Sequence, residues 1–173
     1  MKIAYILYDG ITTLDFIGIY DPVSRLRSMG FLPDLSWHLC AGQPKVKDHF
    51  GLDIIVDKVW PKLDGYDALV VPGGFGSRAM QQDKDFIKWL QTAGKDTLKI
   101  SICTGSLLLG AAGFLKGKRA TTHFADYQRL ETYAKEVLRE QIVDDGDAIT
   151  AGAVAASLEL GVYLCKKWAG EGA

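Results

Sequence analysis

Ile100-Ser101-Ile102-Cys103-Thr104-Gly105-Ser106-Leu107-Leu108-Leu109-Gly110-Ala111-Ala112-Gly113 is the stretch on which the fold turns. It opens on the end of a run, residues 98–102, dominated by apolar and small side chains, as in a strand covered on both faces. Residues 105–112 are small and aliphatic, with no breaker before Gly113 except Gly110, and predict a helix. A single cysteine stands between the two. The small residues Ser101 and Gly105 on either side of Cys103 match the spacing of a nucleophile elbow, where a sharp turn lifts one side chain above the sheet. A thiol there faces the unpaired N–H groups of a helix start, which favour a thiolate. A lone cysteine more often packs as a small hydrophobe; the strand-turn-helix context reverses that preference here.

Outward from this elbow, apolar runs of strand length alternate with helical patterns. Strands are expected at 2–7, 35–40, 68–71 and 98–102, and helices at 16–29, 84–93, 105–112 and 153–168. That alternation predicts βαβ units and an α/β fold with a mostly parallel sheet, in which 68–71 and 98–102 are central. Residues 51–57, and 141–144 with 148–151 around Asp145-Gly146-Asp147, read as short hairpin or edge strands. Residues 119–122 read as a further short strand, 41–50 as a charged surface loop and 131–140 as a solvated helix. With no linker or repeat, one domain over 1–173 is expected.

Composition narrows the function classes. The chain has 173 residues, 48% hydrophobic, with 20 basic and 21 acidic side chains and a net charge of -1. That balance fits a globular domain, not a disordered one, and supplies no global attraction for nucleic acid or an anionic membrane. A small molecule or another protein is the expected partner. Cys40, Cys103 and Cys165 are odd in number, far apart and without CxxC spacing, which argues against a disulfide framework and a zinc site. Met1-Lys2 leads straight into an apolar run of strand length without signal-peptide patterning, and no run is long enough to span a bilayer, so a cytoplasmic location is expected.

Ligands of doubly wound sheets bind beyond the carboxyl ends of the strands, which directs attention to two further segments. Val70-Val71-Pro72-Gly73-Gly74-Phe75-Gly76 ends the other central strand in more glycines than a tight turn needs. Facing Cys103, an N–H of Gly73 or Gly74 could join that of Thr104 as an oxyanion-binding pair. The spacing is not GxGxxG, which disfavours a dinucleotide. Thr13-Leu14-Asp15-Phe16-Ile17-Gly18 follows the first strand; on sequence alone Asp15 serves equally well as a helix N-cap or as a functional carboxyl.

Taken together, Leu14-Asp15, Pro72-Gly73-Gly74, Ile102-Cys103-Thr104-Gly105-Ser106 and Ala120-Thr121-Thr122-His123 resemble the ThiJ/PfpI (DJ-one) superfamily of class I glutamine amidotransferase-like proteins. The likeness runs from Lys2 to about Trp168 and is greatest to the isocyanide (isonitrile) hydratase branch. The resemblance implies a flavodoxin-like three-layer αβα sandwich, a homodimer, and no cofactor or metal. It also implies a lyase that adds water to an isocyanide, giving an N-substituted formamide. By the same resemblance Cys103 would be the nucleophile, Asp15 the general acid held by the Thr104 hydroxyl, and His123 a pocket-lining residue. Peptidases of the superfamily carry histidine immediately after the cysteine, where this chain has Thr104. The hydratases extend further at the C-terminus than Ala173.

Rival readings use the same elbow: a deglycase or glyoxalase acting on reactive carbonyls, a redox sensor that oxidises Cys103, or a non-catalytic ligand-binding regulator. His38, Cys40 and Cys165 fall in apolar elements and His49 in a charged loop, so they are expected to be structural.

Overall fold

Strand-forming residues buried on both faces set the middle of the molecule. The structure, a computed structural model, describes residues 1–173. Strands β1 (Lys2–Ile6), β6 (Ala68–Val71) and β7 (Leu98–Ile102) consist almost wholly of buried residues and lie side by side. They belong to a seven-stranded sheet of order β10-β11-β7-β6-β1-β2-β5, completed by β2 (Ser36–Ala41), β5 (Lys58–Val59), β10 (Ile142–Asp144) and β11 (Ala148–Ala151). Every pairing in it is parallel except β10 with β11, which is the short antiparallel edge expected around Asp145-Gly146-Asp147. The α/β class and the central positions of β6 and β7 agree with the sequence reading.

Helices cover both faces of the sheet. On one side α1 (Thr13–Ser28) packs along α6 (Ala156–Ala169). The contact is close because small residues line it: a Cβ added to Gly18 would stand 2.1 Å from Ser157 Oγ, and one on Gly161 would stand 2.7 Å from the Gly18 carbonyl oxygen. Pro22 within α1 has no N–H for that same carbonyl, four residues earlier, so nothing in the helix draws it away from α6. On the other side lie α2 (Ser77–Met80), α3 (Lys84–Leu90), α4 (Gly105–Ala111) and α5 (Tyr127–Leu130). No helix is long and apolar enough to cross a membrane.

Several sequence expectations need correction. The charged segment 41–50 is not an irregular loop: β3 (Lys45–Lys47) forms a hairpin with β4 (Asp53–Ile55), tied by Lys45 and Lys47 to Asp53. Nor is 131–140 a helix; its charges flank turns and β9 (Glu136–Val137), which pairs with β8 (Arg119–Ala120). Tyr133 packs against Gly110 there, a tertiary contact that local charge pattern does not announce. β8 stops at Ala120, short of residue 122, α3 ends before Ala93, and α6 begins after Val154.

The order of connections places the site. From β1 the chain winds through α1 to β2 on one side, then returns to β6 on the other side of β1, so the crossing point lies between β1 and β6. The loops after β1, β6 and β7 therefore leave the same carboxyl edge as neighbours.

Candidate active site

Cys103 sits between β7 and α4 with φ +55, a conformation that side chains avoid and that Trp60 alone shares among non-glycine residues. Hydrogen bonds hold it there. Its N–H donates to the carbonyls of Ala151 (3.0 Å) and Gly152 (2.8 Å), and its carbonyl accepts from Ser106 Oγ (3.1 Å) and Thr122 Oγ1 (3.0 Å). The turn is possible only because Gly105 is bare: a Cβ there would stand 2.0 Å from the Val71 carbonyl oxygen. The elbow expected from Ser101-x-Cys103-x-Gly105 is therefore present, with the side chain 6% exposed.

Two backbone bonds fasten the first loop to the glycine loop, Thr12 N–H to Gly73 O (2.9 Å) and Gly76 N–H to Gly10 O (3.1 Å). They carry Asp15 into the site. Asp15 lies in the first turn of α1, after the capping position at Thr12, so it is not the N-cap. It is fully buried, and its Oδ2 accepts from the Gly73 N–H at 3.0 Å. Oδ1 is buried with no hydrogen-bond partner of ordinary geometry. Burial pushes the Asp15 carboxyl up to about 7, against the opposing pull of the Gly73 N–H and the Cys103 thiol beside it.

The electrostatics of Cys103 differ from the sequence expectation. Burial, reinforced by the Asp15 charge, pushes the thiol up to about 12, and the backbone and hydroxyl of Thr104 offset this only in part. The start of the short helix α4 is not enough to favour a thiolate against burial, and the charges that act on the sulfur, those of Asp15 and Asp126, are both negative. The pair thus keeps its proton at neutral pH.

Two proposed contacts are absent as drawn. The Thr104 hydroxyl does not hold Asp15; it meets the Gly74 N–H at 3.0 Å and Ser77 Oγ at 2.8 Å, bracing the glycine loop. Nor are the amides of Gly73 and Gly74 free for an oxyanion, since Asp15 and Thr104 already occupy them. Gly73 matters through closeness, because a Cβ there would stand 2.6 Å from Thr104 N and 2.9 Å from Cys103 Cβ. The Thr104 N–H stays directed at the sulfur.

A cleft of about 140 Å³ opens over the sulfur, lined by Thr12, Gly74, Phe75, Arg78, Cys103, Thr104, His123 and Val154. His123 lines it half-buried, with Nδ1 accepting weakly from Ala125 N–H at 3.3 Å. Sequence reading missed Arg78. Its guanidinium bonds Asp126, a carboxylate 1% exposed, at 2.8 Å, and Arg129 bonds the other oxygen of Asp126 at 2.8 Å. An arginine just after a glycine loop was the only available signal. Cys40 and Cys165 are buried away from the cleft, His38 bonds Tyr66, and His49 stacks on Phe75. No group of three or more His, Cys, Asp or Glu side chains is placed to hold a metal ion.

Comparison with known proteins agrees with this fold. The family model described as DJ-1/PfpI family matches residues 1–167. An isonitrile hydratase of Pseudomonas putida is 31% identical over 98% of this chain and 73% of its own length. A deglycase of Thermococcus kodakarensis is 24% identical over 87% of this chain and 89% of its own. The crystal structure of a ThiJ/PfpI family protein from Pseudomonas syringae superposes with a TM-score of 0.83 at 28% identity, covering 96% of this chain and 68% of that one.

Proposed function

From the premise that this chain belongs to the DJ-1/PfpI family, we propose that it is a hydratase adding water to an isocyanide to give an N-substituted formamide. The observation that carries the reading is a fully buried Asp15 carboxyl beside the Cys103 thiol, with Oδ2 held by the Gly73 N–H and Oδ1 left without a partner, where burial raises both groups and favours a proton on the pair. Hydration of an isocyanide begins with net addition of S–H across one carbon. The S–H bond breaks, the S–C bond forms, and the proton ends on that same carbon. A pair that holds one proton between two sites contains both reactants of that step.

In this mechanism the substrate's carbon enters the cleft above Cys103. Asp15 takes the thiol proton as the sulfur attacks and delivers it to the carbon, leaving a thioimidate on Cys103. Oδ1, without a partner in the resting site, is the oxygen free to carry it. Water then adds to the C=N bond, the thiol departs with a proton, and the formamide leaves. Thr104 keeps the Gly74 loop in place and directs its N–H at the sulfur. His123 forms part of the cleft wall.

The deglycase reading needs the same thiol and is supported by the Thermococcus kodakarensis relative. The test is turnover of a small isocyanide and of methylglyoxal by the purified protein and by Cys103→Ser. Formamide production that disappears in Cys103→Ser supports the hydratase; turnover of methylglyoxal alone overturns it in favour of the deglycase.

A further inference from the structure

We propose that Arg78 makes the cleft over Cys103 selective for substrates that carry a carboxylate close to the reacting carbon. The inference rests on the hydratase reading only for the nature of the reacting group; the selection of an anion rests on the Arg78 cluster itself.

The cluster has a surplus of one positive charge. Asp126 is 1% exposed and would be neutralised by Arg129 alone, whose Nη1 lies 2.8 Å from Oδ1. Arg78 Nη2 takes the other oxygen, Oδ2, at 2.8 Å, so two guanidinium groups share one carboxylate. Only Arg78 joins α2 to the segment before α5; Arg129 lies on α5 itself, three residues from Asp126, and adds a positive charge that the strut does not require. The Arg78 guanidinium lies between Asp126 and the Phe75 ring, whose centroid is 5.4 Å away. Its Nε and Nη1 donate to no protein group, and its side chain is 35% exposed where it lines the cleft.

Anchored through one Nη2 hydrogen, the guanidinium keeps its second Nη2 hydrogen together with those of Nε and Nη1, and a carboxylate can accept two parallel N–H bonds from Nη2 paired with Nε or Nη1. The Thr12 hydroxyl, which also makes no hydrogen bond to the protein, lines the same cleft. Arg78 and Cys103 line the same small cleft of about 140 Å³, so a short connection joins an anion on one to the carbon attacked by the other. The ligand class is therefore a short isocyano-carboxylate, with the isocyanide carbon over Cys103 and the carboxylate on Arg78.

Two measurements test this separately from the reaction. The first compares kcat/KM for isocyanoacetate and its methyl ester in the wild type and in Arg78→Gln. A charged hydrogen-bonded contact predicts that the acid-to-ester ratio falls about 10- to 100-fold in the variant, mainly through KM for the acid. The second compares alkylation of Cys103 by iodoacetate and iodoacetamide, read by mass spectrometry of the Cys103 peptide. The iodoacetate-to-iodoacetamide rate ratio should fall about tenfold in Arg78→Gln and also fall in the wild type as salt rises. Arg78→Lys, which keeps the charge and loses the fork, should be intermediate in both. If Arg78→Gln does not fold, the salt dependence and the Lys variant still decide.

Equal losses toward acid and ester, with an alkylation ratio unmoved by substitution or salt, overturn the proposal while leaving the hydratase reading intact. Alkylation ratios that respond as stated, in a protein that turns over neither isocyanide, overturn the hydratase reading and support anion selection by Arg78.

Discussion

Replacing Asp15 with asparagine separates the two consequences of burying an acid beside the thiol. A carboxyl carried from 3.8 to about 7 binds its proton more tightly in the folded chain than in the unfolded one. Its burial is therefore harmless below about pH 4 and destabilises the fold progressively as pH rises from 3.8 to about 7, by about 4 kcal/mol at the upper end. Asparagine can still accept from the Gly73 N–H through its carbonyl oxygen but carries no charge to desolvate. Asp15→Asn should accordingly match the wild type in denaturant unfolding at pH 4 and exceed it at pH 8, by up to about 4 kcal/mol. Turnover should move the opposite way. With no group to shuttle the thiol proton to carbon, isocyanide hydration should fall about 10²- to 10⁴-fold. Removing the Asp15 charge should also lower the Cys103 thiol from about 12, so alkylation of Cys103 at pH 8 should become faster even as catalysis is lost. Retained turnover, or a variant no more stable than wild type at pH 8, would refute the reasoning.

Further outcomes follow from the same geometry. The form of the pair with one proton is the reactive one, so kcat/KM for an isocyanide should rise with pH through about 7; a rate that falls over that range contradicts the shared-proton mechanism. Gly105→Ala sets a methyl 2.0 Å from the Val71 carbonyl oxygen, and thermal melting should show a loss of about 1–3 kcal/mol or more together with lost turnover. Thr104→Val leaves the Gly74 N–H and Ser77 Oγ without their partner, and should lower stability by about 1–3 kcal/mol in denaturant unfolding. If the chain forms the homodimer implied by resemblance, exposed Ile17 on α1 and Leu158 and Val162 on α6 are the apolar surface those helices offer it, and sedimentation at micromolar concentration should show a dimer that Val162→Lys dissociates; a monomer refutes this.

The elbow was legible in sequence because its requirements are local. Small residues at 101 and 105 must flank Cys103, a strand must precede it and a helix must follow, and each appears within a few positions. The meeting of Asp15 with Cys103 was legible one step further, through the rule that successive strands of a parallel sheet deliver their loops to one edge. What failed depended on where polar atoms find partners. The Gly73 and Gly74 amides and the Thr104 hydroxyl each had several conceivable partners, and only the folded loop shows them bound to Asp15, Thr104 and Ser77. For the thiol, sequence position reveals the helix start but not the depth of burial, which pushes the thiol up. Arg78 and Asp126 are far apart in the chain with no periodicity to join them, so their pairing had no sequence signal.

The bonds that clasp Cys103 reach almost entirely forward along the chain, to Thr122, Ala151 and Gly152. A ribosome that has released β7 and α4 has therefore not yet supplied the parts that hold the nucleophile in its left-handed turn. Until Thr122 and β11 arrive, the Ser106 hydroxyl is the one side chain in place to hold the residue in that conformation, and the two bonds to the Cys103 N–H are still missing. Chemical competence is thus acquired late in synthesis, and a chain cut before Ala151 would contain the cysteine, its acid and the glycine loop without being armed.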